Sequence, residues 1–112
     1  MRVIQGTRTY AEQDALYAQG RTTPGSRVTN SPGGYSFHNF GVAFDVGLFS
    51  GRAYIEGGSG YISVGHLGEG IGLEWGGRWR RFQDMPHFQY PGLSLDTVRA
   101  RFEQGLSSIP SY

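Results

Sequence analysis

Ser36-Phe37-His38-Asn39-Phe40-Gly41-Val42-Ala43-Phe44-Asp45 is the stretch on which the fold turns, because loop gives way to strand inside it. Behind it, from Arg21 to Tyr35, the chain is polar and turn-rich, with Pro24-Gly25 and Asn30-Ser31-Pro32-Gly33-Gly34, so a long loop is expected. Ahead of it, Gly41 to Phe49 alternates loosely and is rich in Val and Phe, which marks a buried strand. The spacing from His38 to Asp45 does not put both side chains on one face of a straight strand. They can serve one site if His38 stays on the loop, Asp45 rides the strand and Gly41 makes the turn between them.

Working outward, Val3 and Ile4 ending in Gln5-Gly6 read as the tail of a short strand. Thr9 followed by Glu12 has the form of a capping box, heading a helix from Tyr10 to Gln19 that Gly20 closes. Ser50 to Ser59 reads as a turn region, and Tyr61 to Leu67 as a short helix ended by Gly68. Leu73-Glu74-Trp75 and His87-Phe88-Gln89-Tyr90 read as two further strands, joined by an Arg-rich segment around Trp79. Ser94 caps a final helix from Leu95 to Gln104, with Leu95, Val98 and Phe102 on one face. No repeat and no domain boundary interrupts this order. The fold class is α+β, a small, mostly antiparallel sheet with flanking helices.

Composition narrows the function. A chain of 112 residues fits one domain, 1–112. Nineteen glycines are more than twice the usual share of about 7%, and they lie scattered between apolar residues, as in a loop-rich domain with many tight turns. A net charge of +1 gives no global field for nucleic acid or a membrane surface. Cysteine is absent, which excludes disulfides, thiolate metal sites and a Cys nucleophile. No apolar run approaches the ~20 residues of a membrane span. The start, Met1-Arg2-Val3-Ile4-Gln5-Gly6, lacks the apolar stretch of a signal peptide.

Chemistry gathers at two places. Two of the three histidines stand beside carboxylates in aromatic, Gly-rich surroundings: His38 ahead of Asp45, and His87 in Asp84-Met85-Pro86-His87-Phe88-Gln89. Two imidazoles and one carboxylate make a normal catalytic zinc set, leaving a fourth position for water. A lone His among aromatics is also what a hydrogen-bonded core residue looks like, and an Asp heading a turn is commonplace. Spacing alone leaves both readings open.

Five separated blocks run in order from Gln5 to Tyr90: Gln5-Gly6-Thr7-Arg8-Thr9 with Gln13; Gly20-Arg21-Thr22-Thr23-Pro24-Gly25; Ser36-x-His38-x-x-Gly41-x-Ala43-x-Asp45; Glu74-Trp75-Gly76-Gly77; and Asp84-x-Pro86-His87-Phe88. Together they closely resemble the VanY-type peptidoglycan peptidases, which include D-alanyl-D-alanine carboxypeptidases and L-alanyl-D-glutamate endopeptidases of bacteria and phage lysins. The resemblance implies a hedgehog-like, D-Ala-D-Ala-peptidase-like fold with zinc in a cleft on the sheet. It implies that His38, Asp45 and His87 bind Zn2+, that Asp84 is the catalytic acid/base, and that Arg8 steadies developing negative charge. Gln13 and Ser36 match positions lining the substrate cleft, and Trp75 matches the site wall. Asp84 stands where many members carry Glu, a choice associated with the endopeptidase branch. Many relatives carry helical sequence before the block at Gln5, so 1–112 is expected to be a single zinc peptidase domain that either is N-terminally minimal or lacks part of the family fold.

The implied activity is hydrolysis of the peptidoglycan stem peptide, as an L-alanyl-D-glutamate endopeptidase, with a D-alanyl-D-alanine carboxypeptidase as the alternative. A reading of another class is a non-catalytic wall-binding module that keeps zinc for stability. The expected partner is peptidoglycan, with no nucleic acid and no membrane span, and the expected state is a monomer. The expected place of action is the cell wall: periplasmic, extracellular, or as a lysin released from a host cytoplasm. Of the remaining features, His66 near Glu69 reads as a structural histidine. Arg78, Arg80 and Arg81, interleaved with Trp75, Trp79 and Phe82, read as a cleft rim, and Glu56 and Glu69 as solvated loop residues.

Overall fold

The computed structural model describes residues 1–107. They fall into two compact units: residues 1–6 with 43–92, and residues 7–42 with those that follow 92. The first is the sheet unit. Strand β1 (Arg2–Gln5) pairs antiparallel with β2 (Ala43–Ser50), which pairs antiparallel with β5 (His87–Gln89), which pairs antiparallel with β4 (Glu74–Trp75). The far end of β2 folds back on β3 (Ala53–Ile55). The stretch from Ser50 to Ser59 is thus a hairpin return as well as a turn. Its turn is short, with Gly51 in the left-handed region (φ 62), and the strand after it is exposed, so it lacks the apolar alternation that would announce it.

Helix α2 (Ser59–Gly70) packs on the sheet unit and runs past Gly68, the expected stop. The reason is tertiary. A Cβ at Gly65 would lie 2.2 Å from the Trp75 ring, and one at Gly68 2.3 Å from the Phe88 ring. These glycines are the places where the sheet's aromatic side chains press against the helix, and packing overrides their poor helix propensity. Tyr61, fully buried on α2, accepts the Leu48 N–H and donates its hydroxyl to the Ile55 carbonyl, tying the helix to the β2–β3 hairpin. Val46, Trp75 and Phe88 form the buried centre, with Phe44, Val64, Leu73 and Met85 packed around it. Glu69 lies on this helix, where both carboxylate oxygens take hydrogen bonds from Arg78; it is not a loop residue free in solvent.

The second unit is helical. Helix α1 (Tyr10–Ala18) starts on the expected capping box, in which Thr9 Oγ1 takes the Glu12 N–H and the Glu12 carboxylate takes the Thr9 N–H. Helix α3 (Leu95–Glu103) begins after Ser94, whose side chain makes no capping bond. Val98 is buried at 1% exposure, and the rings of Tyr10, Phe40 and Phe102 pack together at centroid distances of 5.4 to 6.1 Å. The polar chain between α1 and Ser36 carries no helix, as expected. Among the described residues, no helix is long and apolar enough to cross a membrane.

Candidate metal centre

In the sheet unit, antiparallel register does the positioning. Asp45 on β2 stands directly opposite His87 on β5. Side chains of opposed residues in such a pair leave the sheet on the same face, close together. His87 Nδ1 lies 3.2 Å from Asp45 Oδ1 and 4.0 Å from Asp84 Oδ2. The ring is buried, the Asp45 carboxylate is mostly covered, and the Asp84 carboxylate keeps 46% of its surface. Burial pushes the His87 imidazolium down. Hydrogen bonds to Asp45 and Gln89, with the charges of Asp45 and Asp84, outweigh it and hold its pKa above the ordinary 6.5.

Asp84 heads a tight turn closed by the His87 N–H on the Asp84 carbonyl (3.2 Å). Three further contacts pin that turn. The Asp84 N–H bonds the Gly76 carbonyl (3.0 Å), the Trp75 indole N–H bonds the Met85 carbonyl (2.7 Å), and the Val46 N–H bonds the Pro86 carbonyl (2.9 Å). Gly76 is what lets the turn come this close, since a Cβ there would meet the Asp84 carbonyl at 2.4 Å. Trp75 is therefore both core and turn anchor, and the Glu74-Trp75-Gly76-Gly77 block acquires a physical reason. The Trp79 ring lies 5.0 Å from the His87 ring, steadied by its indole N–H on Glu74 Oε2 (3.0 Å).

In the helical unit, His38 sits in a 3₁₀ turn, Phe37–Phe40, rather than on open loop. Ser36 heads it and its hydroxyl takes the His38 N–H (3.2 Å). Gly41 ends it in the left-handed region (φ 71), which is the turn expected of this glycine, and β2 starts two residues later. The His38 carbonyl accepts the Arg8 N–H (2.8 Å). Arg8 reaches Gln13 Oε1 through Nη1 (2.7 Å), while the Gln13 amide donates to the Ser31 carbonyl (2.7 Å). Gln13 is fully buried, and Ser36 is half-buried. Both of these side chains have partners inside the fold.

Asn39 was not singled out by the sequence, yet it is the hub of this unit. Buried at 2% exposure, it accepts the N–H groups of Gly34 and Ser36 and donates to the Arg8 carbonyl. The one signal available was its place three residues after Ser36, the capping-box spacing. His66 is exposed and meets the Trp75 ring edge-on at 6.0 Å, in keeping with a structural histidine.

Comparison with known proteins identifies the family. A family profile described as D-alanyl-D-alanine carboxypeptidase matches residues 29–90, more than half of the chain and including His38, Asp45, Asp84 and His87. The chain belongs to this family. The peptidoglycan L-alanyl-D-glutamate endopeptidase CwlK of Bacillus subtilis (strain 168) is 39% identical over 97 residues, 78% of this chain and 58% of that protein. The crystal structure of the L-Ala D-Glu endopeptidase ChiX of Serratia marcescens matches with a TM-score of 0.52 and 28% identity, over 79% of this chain and 64% of the other. The chain thus spans less than two thirds of each relative. The family's α+β fold, a small antiparallel sheet with three helices, is the one expected from the residues.

Proposed function

We propose that this family member is a zinc peptidase of the peptidoglycan stem peptide, cutting the L-alanyl-D-glutamate bond, with 1–112 acting as one domain. The observation that carries the proposal is the Asp45–His87 pair, opposed in register at 3.2 Å with Asp84 beside the same ring nitrogen. The proposed ligands are His38, Asp45 and His87, two buried histidines and a half-buried carboxylate. That set suits zinc in charge and ligand type, and leaves a position for water. Zinc held there supplies Lewis acidity toward a peptide carbonyl and acidifies water.

The protein's own groups do the rest. Asp84, the most exposed carboxylate of the group, accepts the attacking water's proton and returns it to the leaving amine. Arg8 stabilises the oxyanion, an effect of about 3 kcal/mol for one donor. Gln13 and Ser36 serve the substrate cleft from behind, the fully buried Gln13 by steadying the Arg8 guanidinium and Ser36 by capping the turn that carries His38. The names of the two relatives favour the endopeptidase, while the family description keeps the D-alanyl-D-alanine carboxypeptidase as the second reading. Action on the wall implies a periplasmic or extracellular site, or release as a lysin, and the proposed working state is a monomer.

Mass spectrometry of muropeptides digested with zinc-loaded protein, with and without chelator, tests this. Endopeptidase action leaves L-Ala carboxyl ends and new D-Glu amino ends, and chelator stops it. Loss of one terminal D-Ala instead selects the second reading. Binding to walls without any cleavage sinks the enzyme.

A further inference from the structure

Gln89 follows His87 by two positions on β5, so both side chains leave the strand on the same face. It is 4% exposed and stands opposite Ala43, whose small side chain leaves the amide room. Its Oε1 lies 2.8 Å from His87 Nε2, in a contact that is buried throughout. On the other side of the ring, Nδ1 faces Asp45 Oδ1 at 3.2 Å. The imidazole is therefore held between an amide oxygen and a carboxylate oxygen.

A neutral imidazole has one N–H and one lone pair. It can satisfy one of these acceptors, and it then turns its lone pair toward the other. A metal cation at Nδ1 removes the conflict, because the lone pair and the Asp45 carboxylate both face it while Nε2–H goes to Gln89. We propose that Gln89 is a positioning residue for the metal centre: its amide oxygen takes the His87 Nε2–H and leaves Nδ1 to zinc. This rests on the reading of His87 as a zinc ligand. Histidine ligands commonly give their second N–H to a carboxylate or carbonyl, and loss of that partner typically weakens metal binding about 10- to 100-fold. Here a buried amide fills the role without adding charge.

Zinc affinity, measured by competition with a chromophoric chelator, separates the possibilities in four proteins: the unaltered chain, Gln89→Met, Gln89→Glu and His87→Ala. Gln89→Met keeps the bulk and removes the acceptor, and is expected to weaken zinc about 10- to 100-fold. Gln89→Glu restores an acceptor at the same place and is expected to bind zinc at least as well as the unaltered chain. A simple packing role predicts the reverse, since Met fits a buried site better than a carboxylate. Long-range 1H–15N spectra of the zinc-loaded unaltered protein give an independent reading, with the His87 proton on Nε2 and the metal on Nδ1. Metal on Nε2, or zinc binding by Gln89→Met equal to that of the unaltered chain, overturns the proposal. If His87→Ala binds zinc undiminished, the ligand reading itself fails and the proposal falls with it. If His87→Ala loses zinc and Gln89→Met does not, only the role of Gln89 falls.

Discussion

Asp45 and His87 are held by a sheet, whereas His38 is held by one short capped turn, and the two devices differ in what they tolerate. The strand pair is set by backbone register between β2 and β5, with the Asp84 turn fastened through Gly76, Trp75 and Val46. Most of those bonds are main-chain to main-chain, so truncating a single side chain leaves them standing. The turn of His38 has main-chain bonds too, Arg8 N–H to the His38 carbonyl and Asn39 N–H to the Ser36 carbonyl, but it is further fastened by two polar side chains, Ser36 and Asn39. In the sheet unit, then, damage comes from moving backbone. In the helical unit it comes from deleting a polar group.

The largest expected effect is chemical. Asp84→Asn keeps the turn and removes the base, so turnover falls by about 10²- to 10⁴-fold while zinc content is unchanged. Metal analysis beside the muropeptide assay checks it, and lost zinc would mean that Asp84 is a ligand. Next comes Gly76→Ala, which drives a methyl into the Asp84 carbonyl and costs about 1–3 kcal/mol in the denaturant midpoint. It also displaces Asp84, so activity falls more than stability alone explains. A neutral Gly76→Ala would break the account of the sheet-held side.

On the other side, Asn39→Ala leaves the Gly34 and Ser36 N–H groups without the acceptor they have now, for a loss of about 1–3 kcal/mol. Ser36→Ala removes one cap and costs about 1 kcal/mol. Equal losses from the two would show that Asn39 is no hub. The smallest effect is in pH. In metal-free protein the raised pKa of His87 means that its stabilising contribution is fully present below 6.5 and is lost as pH rises through the folded value. The denaturant midpoint of chelator-treated protein therefore declines with rising pH over that window. His87→Gln flattens the decline, and an unchanged slope would remove His87 as its cause.

The contrast also explains what was legible in the sequence. The Thr9–Glu12 box, the strand after Gly41 and the adjacent strand at His87 announce themselves through local chemistry, and the structure holds all three. Of the blocks that carry the family resemblance, Glu74-Trp75-Gly76-Gly77 is the one the fold fastens to the Asp84 turn, through Trp75 and Gly76. The hairpin return at β3, the length of α2 and the roles of Asn39 and Gln89 are not local. Each depends on what a distant segment brings against it. Glu69 makes the same point, since its partner Arg78 approaches from another element. An asparagine and a glutamine also look alike whether solvated or buried, until their neighbours are known.

Helix α2 carries four glycines, Gly60, Gly65, Gly68 and Gly70, in twelve residues. At about 1 kcal/mol each relative to alanine, they leave this segment with no capacity to be helical alone. It coils only once Trp75 and Phe88 are in place to fill the hollows at Gly65 and Gly68. Helix and strands must then form together, so folding of the sheet unit is all-or-none and its helical signal reports on the strands that carry Asp45 and His87.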